Sequence, residues 1–67
     1  QEATVDAWAG KNLIQLDLRS NSGVLVAAVR TQSDEEYRFV PEPDRPFSKG
    51  DKVVLIGKRE AILTLKV

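Results

Sequence analysis

Sixty-seven residues with ten basic and ten acidic side chains, no cysteine and no histidine, make at most one small domain of zero formal net charge. That composition excludes disulfide staples, zinc sites built on Cys and His, and the usual nucleophile–histidine triads. It lacks the basic excess of a nucleic-acid surface, and no apolar run nears the ~20 residues that span a bilayer.

A lone core of this size supplies about 3–5 kcal/mol, and association is a common remedy. A second copy is therefore expected to complete the apolar surface. Gln1-Glu2-Ala3-Thr4 shows neither the basic start nor the apolar run of a signal peptide. With no initial Met and with Lys66-Val67 breaking off in mid-pattern, the chain reads as a fragment of a longer protein.

In chain order, Thr4 to Ala9 holds β-favouring residues before Gly10 and reads as a first strand. Gly10 to Arg19 is ambiguous: Ile14, Leu16 and Leu18 alternate, but Leu13 with Leu16 and Ile14 with Leu18 fit helical spacing. Adjacent apolar Leu13 and Ile14 favour one or two helical turns, with Asn12 as the cap. Ser20-Asn21-Ser22-Gly23 ends the element. Val24 to Thr31 is the clearest strand, and its continuous apolar run predicts burial on both faces. Gln32-Ser33-Asp34-Glu35 reads as a hairpin turn into a third strand, Glu36 to Val40, antiparallel to the second. Tyr37 and Phe39 then share one face and Arg38 takes the other. Pro41, Pro43 and Pro46 forbid a ladder and make an extended loop, anchored by Phe47. Lys49-Gly50-Asp51 turns into a fourth strand, Lys52 to Ile56, which Gly57 stops. Residues 59–67 fit a helix or another strand equally.

Candidate chemistry is sparse. Ser20, Ser22, Ser33 and Ser48 fall in turns, where hydroxyls satisfy backbone groups. No Gly-rich phosphate cradle occurs, so any dinucleotide lobe lies upstream, and the chain reads as no enzyme. Asp34-Glu35-Glu36 is a carboxylate cluster. Calcium wants several oxygens, whereas a solvated hairpin tip needs none. Arg19, Arg30 and Arg38 suit an anionic ligand through paired hydrogen bonds, or simply pair with Glu36, Asp34 or Asp17. Trp8 is either an interface anchor or a core residue. Tyr37 and Phe39 read as core rather than as a stacking platform. Asn12, Asp44 and Asp51 read as caps and turn formers.

Three blocks together carry a family resemblance. They are Gly10-Lys11-Asn12-Leu13-Ile14-Gln15-Leu16-Asp17-Leu18-Arg19, then Gly23 to Arg30, then Pro41-Glu42-Pro43-Asp44 followed by Phe47, Gly50-Asp51, Val53 to Ile56 and Gly57. In this order and spacing the chain resembles the C-terminal subdomain of regulators of potassium conductance, the TrkA C-terminal domain, over Thr4 to Leu65. Departures are Gln15 in place of a frequent Glu, the short Ser20–Gly23 turn, and Pro46-Phe47 where an aliphatic is usual.

The resemblance implies an α+β fold: a small, mainly antiparallel sheet of about four strands with one or two short helices, working as a homodimer. It implies a regulatory, ligand-sensing domain of a potassium channel or transporter, cytoplasmic at an inner membrane, joined to an upstream nucleotide-binding lobe and a membrane pore domain. Nucleic acid and membrane insertion are not expected. Some members hold cyclic di-AMP in the dimer cleft, and others respond to calcium. The candidate cleft residues are the central strand, Val24 to Arg30, and the loop from Val40 to Phe47, with Arg30, Arg38, Val40 and Pro41 as ligand residues and Val24, Val26, Ala28 and Trp8 as the dimer interface. The competing readings are an assembly domain without a ligand and, from another class, a small barrel-like nucleic-acid binder.

Overall fold

The computed structural model describes residues 1–39 and 41–67. Its elements are β1 (Glu2–Thr4), α1 (Leu13–Leu16), α2 (Leu18–Asn21), β2 (Leu25–Arg30), β3 (Arg38–Phe39), β4 (Lys52–Ile56) and α3 (Arg59–Thr64). The strands form one antiparallel sheet in the order β1-β4-β2-β3. The expected α+β class and four-stranded antiparallel sheet are borne out. No helix among the described residues is long and apolar enough to cross a membrane.

Local chemistry explains the elements. Asn12 caps α1 in a reciprocal box: Gln15 N–H donates to Asn12 Oδ1 at 2.8 Å, and Asn12 N–H to Gln15 Oε1 at 2.9 Å. This resolves the Leu13–Arg19 ambiguity as helix. Asp17, at φ 45°, takes the left-handed conformation that splits α1 from α2. Gly23, at φ 72°, closes α2, its N–H donating to Leu18 O at 3.0 Å. The undecided C-terminal stretch is α3, after which Leu65 returns to extended backbone.

Two boundaries differ from expectation. β1 covers residues 2–4 rather than 4–9, because the chain turns after Val5: Asp6 and Trp8 N–H both donate to Val67 O, at 2.9 and 2.8 Å. β3 is Arg38–Phe39 rather than Glu36–Val40. Val40 lies outside the described residues. β4 has the expected bounds.

All three helices pack on one side of the sheet. Val26, Val53 and Leu55 meet Leu18 from α2, Ile62 from α3, and Val5, Trp8, Val24 and Phe47 from the connections. Among the described residues no helix packs on the other side, where Tyr37 reaches across to Glu2 and covers part of the sheet. On that side Leu25 is 47%, Ile56 56% and Phe39 76% exposed. β2 thus packs on the core by one face, while on its other face Ala28 is buried and Leu25 is half exposed. Tyr37 and Phe39 are not core residues. Phe39 pairs with Ala28 at the sheet edge, on the open face. A bulge between Val26 and Ala28 sets this geometry. Val26 pairs with Leu55 toward the core, whereas Ala28 pairs with Val54 on the open face.

Candidate functional site at the proline loop

A cavity of about 220 Å³ opens between β3 and the proline loop. Val29 from β2 and Arg38 and Phe39 from β3 form one wall. Pro41, Glu42, Arg45, Pro46 and Phe47 form the other, with Asp51 at the base.

The loop has no ladder but is held at many points. Phe47 N–H donates to Lys11 O and Gly10 N–H to Phe47 O, each at 2.8 Å. The Phe47 ring lies 5.6 Å from the Trp8 ring, tilted by 39°. Asn12 Nδ2 donates to Asp44 O at 3.5 Å, and Ile14 N–H to Pro43 O at 3.4 Å. At the loop's exit Asp51, buried, accepts Ser48 N–H on Oδ2 at 2.9 Å, while its own N–H donates to Ser48 O at 3.0 Å. The cap and turn roles of Asn12 and Asp51 and the anchoring by Phe47 follow the sequence reading.

Arg38 supplies one cation of the cavity. Its Nη2 lies 3.0 Å from Asp34 Oδ1. The other carboxylate oxygen, Oδ2, accepts Thr31 Oγ1 at 2.8 Å and Thr31 N–H at 3.2 Å. The Thr31 bonds first, and Arg38 after them, hold the Asp34 carboxyl below its ordinary value. Arg45 supplies a second cation, with no ion pair to any described residue.

Of the residues expected to hold a ligand, Arg38 and Pro41 meet here. Arg30 does not: it sits on the open face, its guanidinium 5.5 Å from the Tyr37 ring centroid. There the Tyr37 hydroxyl donates to Glu2 Oε2, a bond that pushes the phenol above its ordinary value. Of the expected interface residues, Val24, Val26 and Trp8 lie in the chain's own core, and only Ala28 belongs to the open side. They expose almost nothing to a second copy, because the inner face is already covered by the helices. Asp34-Glu35-Glu36 does not converge: no group of three potential metal ligands comes together among the described residues. Sequence reasoning placed Arg45 within the candidate cleft loop, Val40 to Phe47, without singling out its charge. Its signal was present, a lone cation between Pro43 and Pro46 in a loop that must stay extended.

The TrkA-C domain family model matches residues 2–66. No curated protein matches the chain significantly. Among solved structures, the chain is similar to the C domain of the potassium transport protein KtrA, a regulator of conductance of K+ (RCK), in complex with cyclic diadenosine monophosphate (c-di-AMP). Identity is 25% and the TM-score 0.85, over 94% of this chain and 73% of that one. It is similar to the GsuK channel bound to NAD at 25% identity and a TM-score of 0.80, over 96% of this chain but only 12% of the channel chain. The RCK_C domain dimer of S. agalactiae BusR in complex with c-di-AMP shares the fold at 18% identity and a TM-score of 0.75, over 94% of this chain and 84% of that one. The sheet order, the three sequence blocks and the family match agree: this chain belongs to the TrkA-C domain family, the regulatory domain of potassium transport proteins and channels.

Proposed function

We propose that the chain senses an anionic ligand as one half of a two-fold pair, and that the cavity at the proline loop receives part of that ligand. The carrying observation is the pair of arginines, Arg38 and Arg45, on a cavity otherwise walled by Val29, Phe39, Pro41, Pro46 and Phe47 and by two carboxylates, Glu42 and Asp51, the second of which is engaged by Ser48 N–H. Apolar walls with a few convergent polar groups are how small-molecule sites are built. At about 220 Å³ the cavity is small for a whole dinucleotide. Two such cavities related by a two-fold axis suit a two-fold ligand such as c-di-AMP, which is bound by the KtrA C domain. Guanidinium groups pair with phosphate oxygens.

The open sheet face, with Leu25, Ile56 and Phe39, is the surface on which the second copy sits. Its role is regulatory binding, with no catalytic step. In this reading the chain is one piece of a longer potassium-transport protein, on the cytoplasmic side of an inner membrane. Ligand occupancy biases the spacing of paired lobes by its difference in affinity between two states. Calorimetric titration of c-di-AMP into the chain, with light scattering on the same sample, tests this. One ligand per dimer is the expected result, and no heat from the titration would remove the ligand role.

A second reading has its own observation. The exposed Leu25, Ile56 and Phe39 already suffice to motivate pairing without any ligand. A stable dimer with no heat on titration would select this pure assembly role.

A further inference from the structure

The hairpin between β2 and β3 carries a feature that neither pairing nor a solvated tip requires. Asp34 is fixed by Thr31 through three hydrogen bonds. Its Oδ2 accepts both Thr31 Oγ1 and Thr31 N–H, and its own N–H donates to Thr31 O at 3.1 Å. The free carboxylate oxygen, Oδ1, then holds a single guanidinium nitrogen of Arg38 at 3.0 Å. A guanidinium has five donors in a rigid fork. One corner is tied to Asp34, and Arg38 lines the cavity.

We propose that Asp34, locked by Thr31, is a positioning residue that aims the Arg38 fork into the proline-loop cavity and so raises the cavity's affinity for an anion. This rests on the reading of that cavity as the ligand seat. The physical basis is pre-organisation. An exposed arginine loses rotamer freedom when it binds, and a fork already fixed loses less. The side chain of Arg38 is 64% exposed, so without Asp34 little else restrains it. The opposite role for Asp34, an internal anion that competes with the ligand for Arg38, would show the opposite sign.

The test uses the full chain with c-di-AMP as the probe, in wild type, Arg38→Ala, Asp34→Asn, Thr31→Val and Thr31→Ser. Calorimetry gives affinity, and the Arg38 Nε–Hε resonance by NMR relaxation gives the order of the fork without ligand. We expect Arg38→Ala to weaken binding about tenfold or more. Asp34→Asn and Thr31→Val should weaken it about threefold and loosen the Arg38 resonance, with melting temperatures near wild type. Thr31→Ser, which keeps the hydroxyl, should restore both. An unchanged Arg38 resonance in Asp34→Asn and Thr31→Val, or unchanged or tighter binding, overturns the proposal while the cavity reading stands through Arg38→Ala. Failure of c-di-AMP to bind, or an Arg38→Ala variant that binds like wild type, overturns the cavity reading and the proposal with it. An Arg38 resonance that still depends on Asp34 would then mark a purely structural tie.

Discussion

Arg30 and Arg38 stand on opposite faces of the same sheet. Arg38 pairs with Val29, which packs against the core, whereas Arg30 pairs with Lys52 on the open side. They lie eight positions apart across a hairpin, an even spacing that would share a face in one continuous strand. The antiparallel return breaks that simple count.

The two arginines therefore have separable effects. Arg38→Ala should weaken an anion at the proline-loop cavity about tenfold or more. Arg30→Ala should leave that affinity within about twofold and instead disturb the Tyr37 contact, an exposed cation–π pair worth about 0.5–1 kcal/mol. Parallel calorimetric titrations of the two variants with c-di-AMP check this. Equal losses would place the ligand across the open face and not in the cavity.

Phe47 ties the proline loop to the core through Trp8. Both are buried, 5% and 4% exposed, with ring centroids 5.6 Å apart. Phe47→Ala should cost about 3–5 kcal/mol, comparable to the whole stability expected of so small a domain. Far-ultraviolet circular dichroism at room temperature should show largely unfolded protein. Phe47→Leu, which keeps most of the apolar volume, should remain folded with a lowered melting temperature.

Legibility in the sequence followed the strength of local signals. β4 was readable because a Lys-Gly-Asp turn and a glycine stop bracket five residues of clear pattern. The capping box was readable because Asn12 and Gln15 are three apart. The bulge at Ala27 was not, since a run of small apolar residues hides which of them face inward. It put Val24 and Val26 in the core and Ala28 on the open side. Trp8 allows two readings from sequence alone, and Phe47 beside it decides between them through a contact across 39 residues that no local pattern encodes. In the site, Arg38 was anticipated from residue type and Pro41 from its place in the loop. Arg45 lay in that same loop, but its charge was not singled out, because the residues it faces across the cavity come from distant parts of the chain.

The open face should control association. Leu25 and Ile56 pair across β2 and β4 and are 47% and 56% exposed. Leu25→Lys with Ile56→Glu exchanges apolar for charged surface while leaving the core untouched. Melting temperature should change little, since exposed substitutions rarely exceed about 0.5 kcal/mol. Light scattering at micromolar concentration should shift from dimer to monomer. A dimer that survives the double substitution would move the contact to another surface.

Tyr37 is the only tyrosine in the chain, so absorbance at 295 nm reports its ionisation alone. The hydrogen bond to Glu2 raises the phenol above its ordinary value of 10.0, and the nearby Arg30 opposes that shift. The folded state thus favours the protonated phenol. Its contribution to stability is fully present below the unfolded value near 10 and is lost as pH rises through the folded value. Wild type should titrate above 10 and lose stability through that range. Glu2→Gln removes the carboxylate and should move the midpoint down toward 10. Arg30→Gln removes the opposing cation and should move it further up. A wild-type midpoint at or below 10 would mean that the Glu2 bond does not persist in solution. In that case β1 is not pinned to the β2–β3 hairpin across the open face.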